Sequence, residues 1–308
     1  LDFDQVLKQD FSNKDIARLK FNLTTYCNFN CSYCYEGNVK EKNILNPMKA
    51  ISLGKKVLDD LPKGEMLRVH YFGGEPFLEY KNMKMITQNL YIYAMNTGKQ
   101  IQFGCTTNAS ILTDEILNHI SLYPYFIGAS CDGEPFYQNL NRKYKGGIDS
   151  AEKVIGNIFK IHERLGRIYI SMVVTKNNVE NLFNNVKYFI DRGINNFAIY
   201  VVTNNVDMHP DLNIYEQQLN KLVDLLNSIK DREIIINPPL WKVHQSKTRN
   251  LVKSEQSVEI QLYENEFIMF NETSPTGHKF TTNYQHITQD QIDKLTELEN
   301  KYCLMIKK

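Results

Sequence analysis

The stretch "RLKFNLTTYCNFNCSYCYEG", Arg18 to Gly37, decides how this chain is read. Its first half is rich in strand-forming residues; its second half is a loop that holds Cys27, Cys31 and Cys34. A disulfide uses two sulfurs, and a closed zinc cage normally takes four protein ligands, often as two paired motifs. No CxxC partner follows this loop, and the nearest later thiol, Cys105, falls on another strand. Three thiols on one short loop instead suit a four-iron cubane, with three irons bound by thiolates and the fourth open to an external ligand.

Working outward from this loop, short β-rich runs alternate with amphipathic helical stretches from about residue 20 to 205. "MLRVHYFGG" (Met66–Gly74), "QIQFGCTTN" (Gln100–Asn108), "YFIGASCDG" (Tyr125–Gly133), "RIYISMVVT" (Arg167–Thr175) and "NNFAIYVV" (Asn195–Val202) read as strands. Between them lie helical patterns over 48–61, 83–98, 113–122, 149–166 and 179–193. Thr113 is an expected N-cap, Asp149 or Ser150 another, and Gly98 a helix stop. About six β/α units in strict series argue for a parallel sheet with right-handed crossovers. The fold class expected is α/β, a partial (β/α)6 barrel of the TIM type, with a small C-terminal α+β region appended. The expected division is an N-terminal segment 1–20, a core barrel 21–205 and a capping region 206–308. In that last part a helix is expected over 212–230, a hairpin over 257–272 turning at Glu264-Asn265, and a terminal helix over 288–308.

In such folds chemistry gathers at the carboxyl ends of the strands. The cysteine loop, Gly73-Gly74, Asn108 and "SCDG" all fall there. Side-chain alternation then sorts the other thiols. If Thr106 and Asn108 face inward, Cys105 faces the helices; if Ser130 and Asp132 face inward, Cys131 likewise faces the helices. Both read as small buried hydrophobes rather than hydrogen-atom donors, and Cys303, in the last helix, also reads as structural. His209, His244, His278 and His286 are scattered without ligand spacing.

Composition narrows the function classes. The net charge is +1 over 308 residues, with 42% hydrophobic and 23% charged. That balance carries no electrostatic footprint for nucleic acid or an anionic membrane. No apolar run approaches the roughly 18–20 residues that span a bilayer. Six cysteines are too few for a disulfide scaffold, and the polar, acidic N-terminus is no secretory signal, so the cytoplasm is the expected location. The chain begins at Leu1 rather than Met, which leaves room for residues upstream.

Four motifs in order carry a resemblance. "CNFNCSYCY" is a CxxxCxxC followed by an aromatic, Tyr35. "YFGGEP" (Tyr71–Pro76) holds GGEP; "TTNAS" (Thr106–Ser110) is a TNG-like strand end with Ala109 in place of Gly; "SCDG" (Ser130–Gly133) precedes Arg142 in "NLNR". Over roughly residues 18–205 the chain resembles the radical S-adenosylmethionine (SAM) enzymes. It is most similar to their peptide- and protein-modifying branch, which includes the anaerobic sulfatase maturases and other SPASM-type enzymes. It differs in carrying one cysteine over 206–308, where a four-iron auxiliary cluster needs about three or four thiolates.

The resemblance implies that Cys27, Cys31 and Cys34 hold a single [4Fe–4S] cluster whose open iron takes the amino and carboxylate groups of SAM. It assigns Gly73 and Gly74 to the SAM amino group, and Glu75 to a hydrogen bond there or to ordering of the turn. Ser130 and Arg142 become carboxylate partners, the Tyr35 backbone an adenine contact, and Asn108 a ribose or methionine contact. The partners implied are a peptide or protein substrate and an electron donor such as flavodoxin or ferredoxin. Radical SAM chemistry on a small molecule or nucleotide, and a non-catalytic iron–sulfur or zinc protein, are the alternatives.

Overall fold

The computed structural model describes residues 7, 18–34, 42–62, 64–203 and 205–237, the strand backbones of 258–262 and 267–271, and parts of 288–301. Strands β1 (Arg18–Thr24), β2 (Met66–Gly73), β3 (Gln100–Thr107), β4 (Tyr125–Ser130), β5 (Ile168–Val174) and β6 (Asn196–Val201) lie side by side in chain order and all parallel. Helices α1 (Pro47–Asp60), α2 (Tyr80–Asn96), α3 (Asp114–Leu122), α4 (Pro135–Asn141), α5 (Ala151–Leu165) and α6 (Leu182–Ile190) fill the crossovers. The series runs past residue 205. Helix α7 (Leu212–Ser228) leads into β7 (Ile235–Asn237), which pairs parallel with β6.

The hairpin expected over 257–272 forms as β8 (Val258–Leu262) and β9 (Phe267–Asn271), paired antiparallel. Its place is the other edge of the same sheet, with β8 parallel to β1. The tip at Glu264-Asn265 lies outside the described residues, as do Cys303, His244, His278 and His286. Within 288–301 the described residues from 290 onward are helical. Among the described residues no helix is long and apolar enough to cross a membrane.

The sheet has two unlike faces. Leu19, Phe21, Leu23, Val69, Tyr71, Phe103, Ile127, Ile170 and Ile199 are all buried against the helices. Alternate residues on β1 to β5, such as Lys20, His70, Thr106, Ser130 and Ser171, are half-buried on the concave inner face. Cys105 and Cys131 fall on the helix side, with no exposed surface. Burial pushes both thiols well up, Cys131 to about 12, so they are inert core residues as alternation requires. Local signals also hold. Thr113 caps α3 by accepting from the Ile116 N–H at 3.2 Å, and Gly98 follows α2 at φ 67°.

Candidate active site

The cysteine loop leaves β1 at Thr24 and is held from two sides. On the first, the loop backbone locks onto the end of β2. Gly74 N–H donates to Thr24 O at 2.7 Å and Glu75 N–H to Tyr26 O at 2.9 Å. A Cβ on Gly73 would sit 2.3 Å from Thr24 O, and one on Gly74 would sit 2.2 Å from Tyr26 O. Gly73 also takes φ 124°, outside the range of ordinary side chains. The close approach that these two glycines permit is thus to the cysteine loop itself. Gly74→Ala drives a methyl into a backbone carbonyl that cannot rotate away. It should cost about 3 kcal/mol or more in urea unfolding; a change under about 0.5 kcal/mol contradicts this packing.

On the second side, residues 141–145 template the loop. Ser32 N–H donates to Asn141 O at 3.0 Å, Asn30 N–H to Lys143 O at 2.9 Å, and Lys145 N–H to Asn28 O at 2.9 Å. The Phe29 and Tyr144 rings meet edge to face at 4.8 Å. These contacts join the first motif to the chain around Arg142, far away in sequence.

Glu75 is fully buried, and its carboxylate ties the ends of β2 and β3 together. Its Oε1 accepts from Phe77 N–H at 3.0 Å and from the Thr107 hydroxyl at 2.6 Å, while Oε2 accepts from Asn108 N–H at 2.6 Å. Of the two roles expected for Glu75, the geometry shows the ordering of the turn. Burial raises its pKa from 4.5 to about 7, against the pull of these hydrogen bonds. An acid with a raised folded pKa binds more protons folded than unfolded in that window. Its contribution is therefore greatest at or below pH 4.5 and falls as pH rises to about 7. The stability of wild type relative to Glu75→Gln should decline by on the order of 3 kcal/mol between pH 4.5 and 7.5. Urea titrations at several pH values check this; a relative gain over that range contradicts it.

Asn108 turns toward the thiols. Its Nδ2 lies 3.6 Å from Cys27 Sγ and donates to Asn28 Oδ1 at 2.8 Å, while its Oδ1 accepts from Ser110 N–H at 2.9 Å. Phe29 N–H also reaches Cys27 Sγ, at 3.4 Å. Two donors on one sulfur suit a thiolate better than a thiol. Ala109, which follows, sits at φ 56°, the left-handed region where a glycine is unstrained.

Arg142 is buried across the loop. Its Nε donates to Asp132 Oδ1 at 2.9 Å, Tyr33 OH donates to Asp132 Oδ2 at 2.7 Å, and the guanidinium lies 5.2 Å from the Tyr33 ring centre. Val173 N–H donates to Asp132 Oδ1 at 3.1 Å, and Asp132 N–H to Gln138 Oε1 at 3.0 Å. The Ser150 hydroxyl, a candidate helix cap from the sequence, donates instead to Arg142 O. Asp132, Tyr33 and Gln138 are residues that sequence reasoning missed as parts of the site. The only signal for Asp132 was its place inside SCDG. Ser130 ends β4 half-buried, in register with Ser171. Tyr35 lies outside the described residues.

The three thiols differ in setting. Cys27 and Cys31 are half-buried and Cys34 is exposed. Burial pushes Cys31 up to about 12, with the positive charge of Arg142 pulling the other way and the other two thiols adding to the rise. Three thiolates this close repel one another, so a positively charged iron group is what lets them ionise together. Among the described residues no three His, Cys, Asp or Glu side chains converge on a single ion. Thiolates that each bind a different iron of a cubane need a wider spread than ligands around one ion. Three thiols on one loop are a donor set that could take a cubane with one open iron.

Comparison with known proteins agrees. The radical SAM superfamily profile matches residues 21–226. A cysteine-type anaerobic sulfatase-maturating enzyme of Clostridium perfringens is 28% identical over 177 residues, 54% of this chain and 46% of that protein. An S-adenosylmethionine-dependent nucleotide dehydratase of Psychrobacter lutiphocae is 29% identical over 162 residues, 49% of this chain and 52% of that protein. The chain thus aligns with about half the length of each. Solved structures of anSMEcpe with bound AdoMet, without and with the Cp18Cys peptide, give TM-scores of 0.70 and 0.66 at 16% and 17% identity, covering 94% of this chain and 83% of theirs. They show the shared partial-barrel fold. The chain belongs to the radical SAM superfamily, whose cofactors are a [4Fe–4S] cluster and S-adenosylmethionine.

Proposed function

We propose that this protein is a single-cluster radical SAM enzyme that modifies a peptide or protein substrate. The observation that carries the proposal is the convergence of the cysteine loop, Asn108 and the Asp132–Arg142 pair at one end of the sheet. When bound, the cluster supplies the electron that splits SAM into methionine and a 5′-deoxyadenosyl radical able to take a hydrogen atom from an unactivated C–H bond.

The chain's own residues bind and orient. Arg142, fixed by Asp132 and facing Cys31, presents a cation where the SAM carboxylate would lie, and an arginine fork suits that group. Ser130 is the second carboxylate partner in this reading. The Gly73–Gly74–Glu75 turn, locked to Tyr26, offers backbone groups to the SAM amino group. Asn108 donates toward Cys27, and hydrogen bonds of this kind tune an iron–sulfur site. Tyr35 is proposed to meet the adenine edge.

Similarity to the sulfatase-maturating enzyme, and the fold shared with a peptide-bound neighbour, support the peptide reading. Similarity to the nucleotide dehydratase favours a second reading, chemistry on a nucleotide. Mass spectrometry of a peptide encoded beside the gene and co-expressed with the enzyme separates them. A shift such as the loss of about 2 Da, for a crosslink, supports the peptide reading. An unmodified, unepimerised peptide together with deoxyadenosine formation driven by a nucleoside triphosphate contradicts it.

A further inference from the structure

Asn22 lies on the inner face of β1, between the core residues Phe21 and Leu23. It is two residues below Thr24, about 7 Å beneath the start of the cysteine loop. Its side chain is 94% buried, at 6% exposure. Neither its Nδ2 nor its Oδ1 has a hydrogen-bond partner. One orphaned buried polar atom is unusual; a donor and an acceptor orphaned on the same side chain mean that something else completes them.

The local backbone is built around this residue. The β1–β2 register slips between Asn22 and Thr24, and such irregularities re-aim a side chain beside a site. The surrounding inner face carries further aromatic and polar side chains. Phe72 stands in register with Asn22, with Lys20 Nζ over its ring at 3.9 Å. Across the sheet His70 Nε2 meets Thr106 Oγ1 at 2.9 Å, and that oxygen meets Tyr169 OH at 3.3 Å. His70, Thr106 and Tyr169 therefore have partners in one another, whereas Asn22 has none.

We infer that Asn22 is a substrate-reading residue that pairs with a backbone amide of the peptide as it enters the barrel beneath the cysteine loop. The carboxamide offers one N–H and one C=O side by side, and a peptide group offers the complementary pair. This rests on the peptide reading of the function. Its position inside the barrel separates it from the strand-end groups assigned to SAM.

The test uses the cluster-loaded protein under anaerobic conditions. Asn22→Leu removes both orphaned atoms, with Asn22→Ala as the smaller control for crowding. In the absence of substrate at least one of these variants should melt roughly 3 °C higher than wild type, with SAM affinity within about twofold (under 0.5 kcal/mol). N-acetylglycinamide at millimolar concentration should raise the melting temperature of wild type and of neither variant; adenosine should not. Lower melting temperatures in both variants show a structural partner and overturn the inference, even if the enzyme proves to modify peptides. A tenfold loss of SAM affinity, or stabilisation by adenosine alone, also overturns it, by assigning the side chain to the cofactor or to a nucleobase.

Discussion

Replacing Cys27, Cys31 and Cys34 together with alanine should leave a folded chain that binds no cluster. Cys34 is exposed and the other two are half-buried, so truncation opens no large cavity. The loop itself is held by backbone contacts to β2 and to residues 141–145. Near-native circular dichroism and a melting temperature within a few degrees of the apo wild type are expected. Anaerobic reconstitution should give about four irons per wild-type chain and a small residue in the variant. Each single substitution should impair loading too, because the remaining two thiolates hold only part of a cubane. Equal iron in wild type and triple variant contradicts the site.

The second large effect is expected at Asp132. Asp132→Ala removes the carboxylate that binds Arg142, Tyr33 and the Val173 N–H at once. A buried guanidinium is left without its counter-charge, and breaking such a pair from one side costs roughly 3–5 kcal/mol. Urea unfolding of the apo protein measures this. Asp132→Asn keeps the shape and one acceptor, so its cost should be smaller. Both variants should weaken SAM binding by at least about tenfold, or 1.4 kcal/mol, because Arg142 loses its orientation as well as its partner. A variant with wild-type stability and SAM affinity shows that Arg142 is positioned by something else.

The sequence and the structure agree where short-range pattern decides. The strands of β1 to β6 were legible because one face must be apolar and the other need not be. The same period of two assigns Cys105 and Cys131 to the helix side of the sheet. The cysteine loop was legible because three thiols at that spacing have few other uses. Less legible were features that depend on partners distant in sequence. Gly73 and Gly74 read as an opening for a ligand, yet the group that presses against them is the backbone of Thr24 and Tyr26. Asp132 was legible only as part of SCDG, since nothing local shows that Tyr33 and Arg142 converge on it. β7 has only three residues and runs into Pro238-Pro239, too short a stretch for alternation to register. The hairpin was visible as a hairpin, but its pairing with β1, more than 200 residues away, was not.

The central claim is that the loop from Cys27 to Cys34 is the centre of radical SAM chemistry. The most direct test is to incubate the reconstituted protein with SAM and dithionite under anaerobic conditions and quantify 5′-deoxyadenosine. Wild type should form it together with an equal amount of methionine, and the triple alanine variant should form none above background. Equal formation by both proteins, or none by a wild type carrying its full complement of iron, contradicts the account.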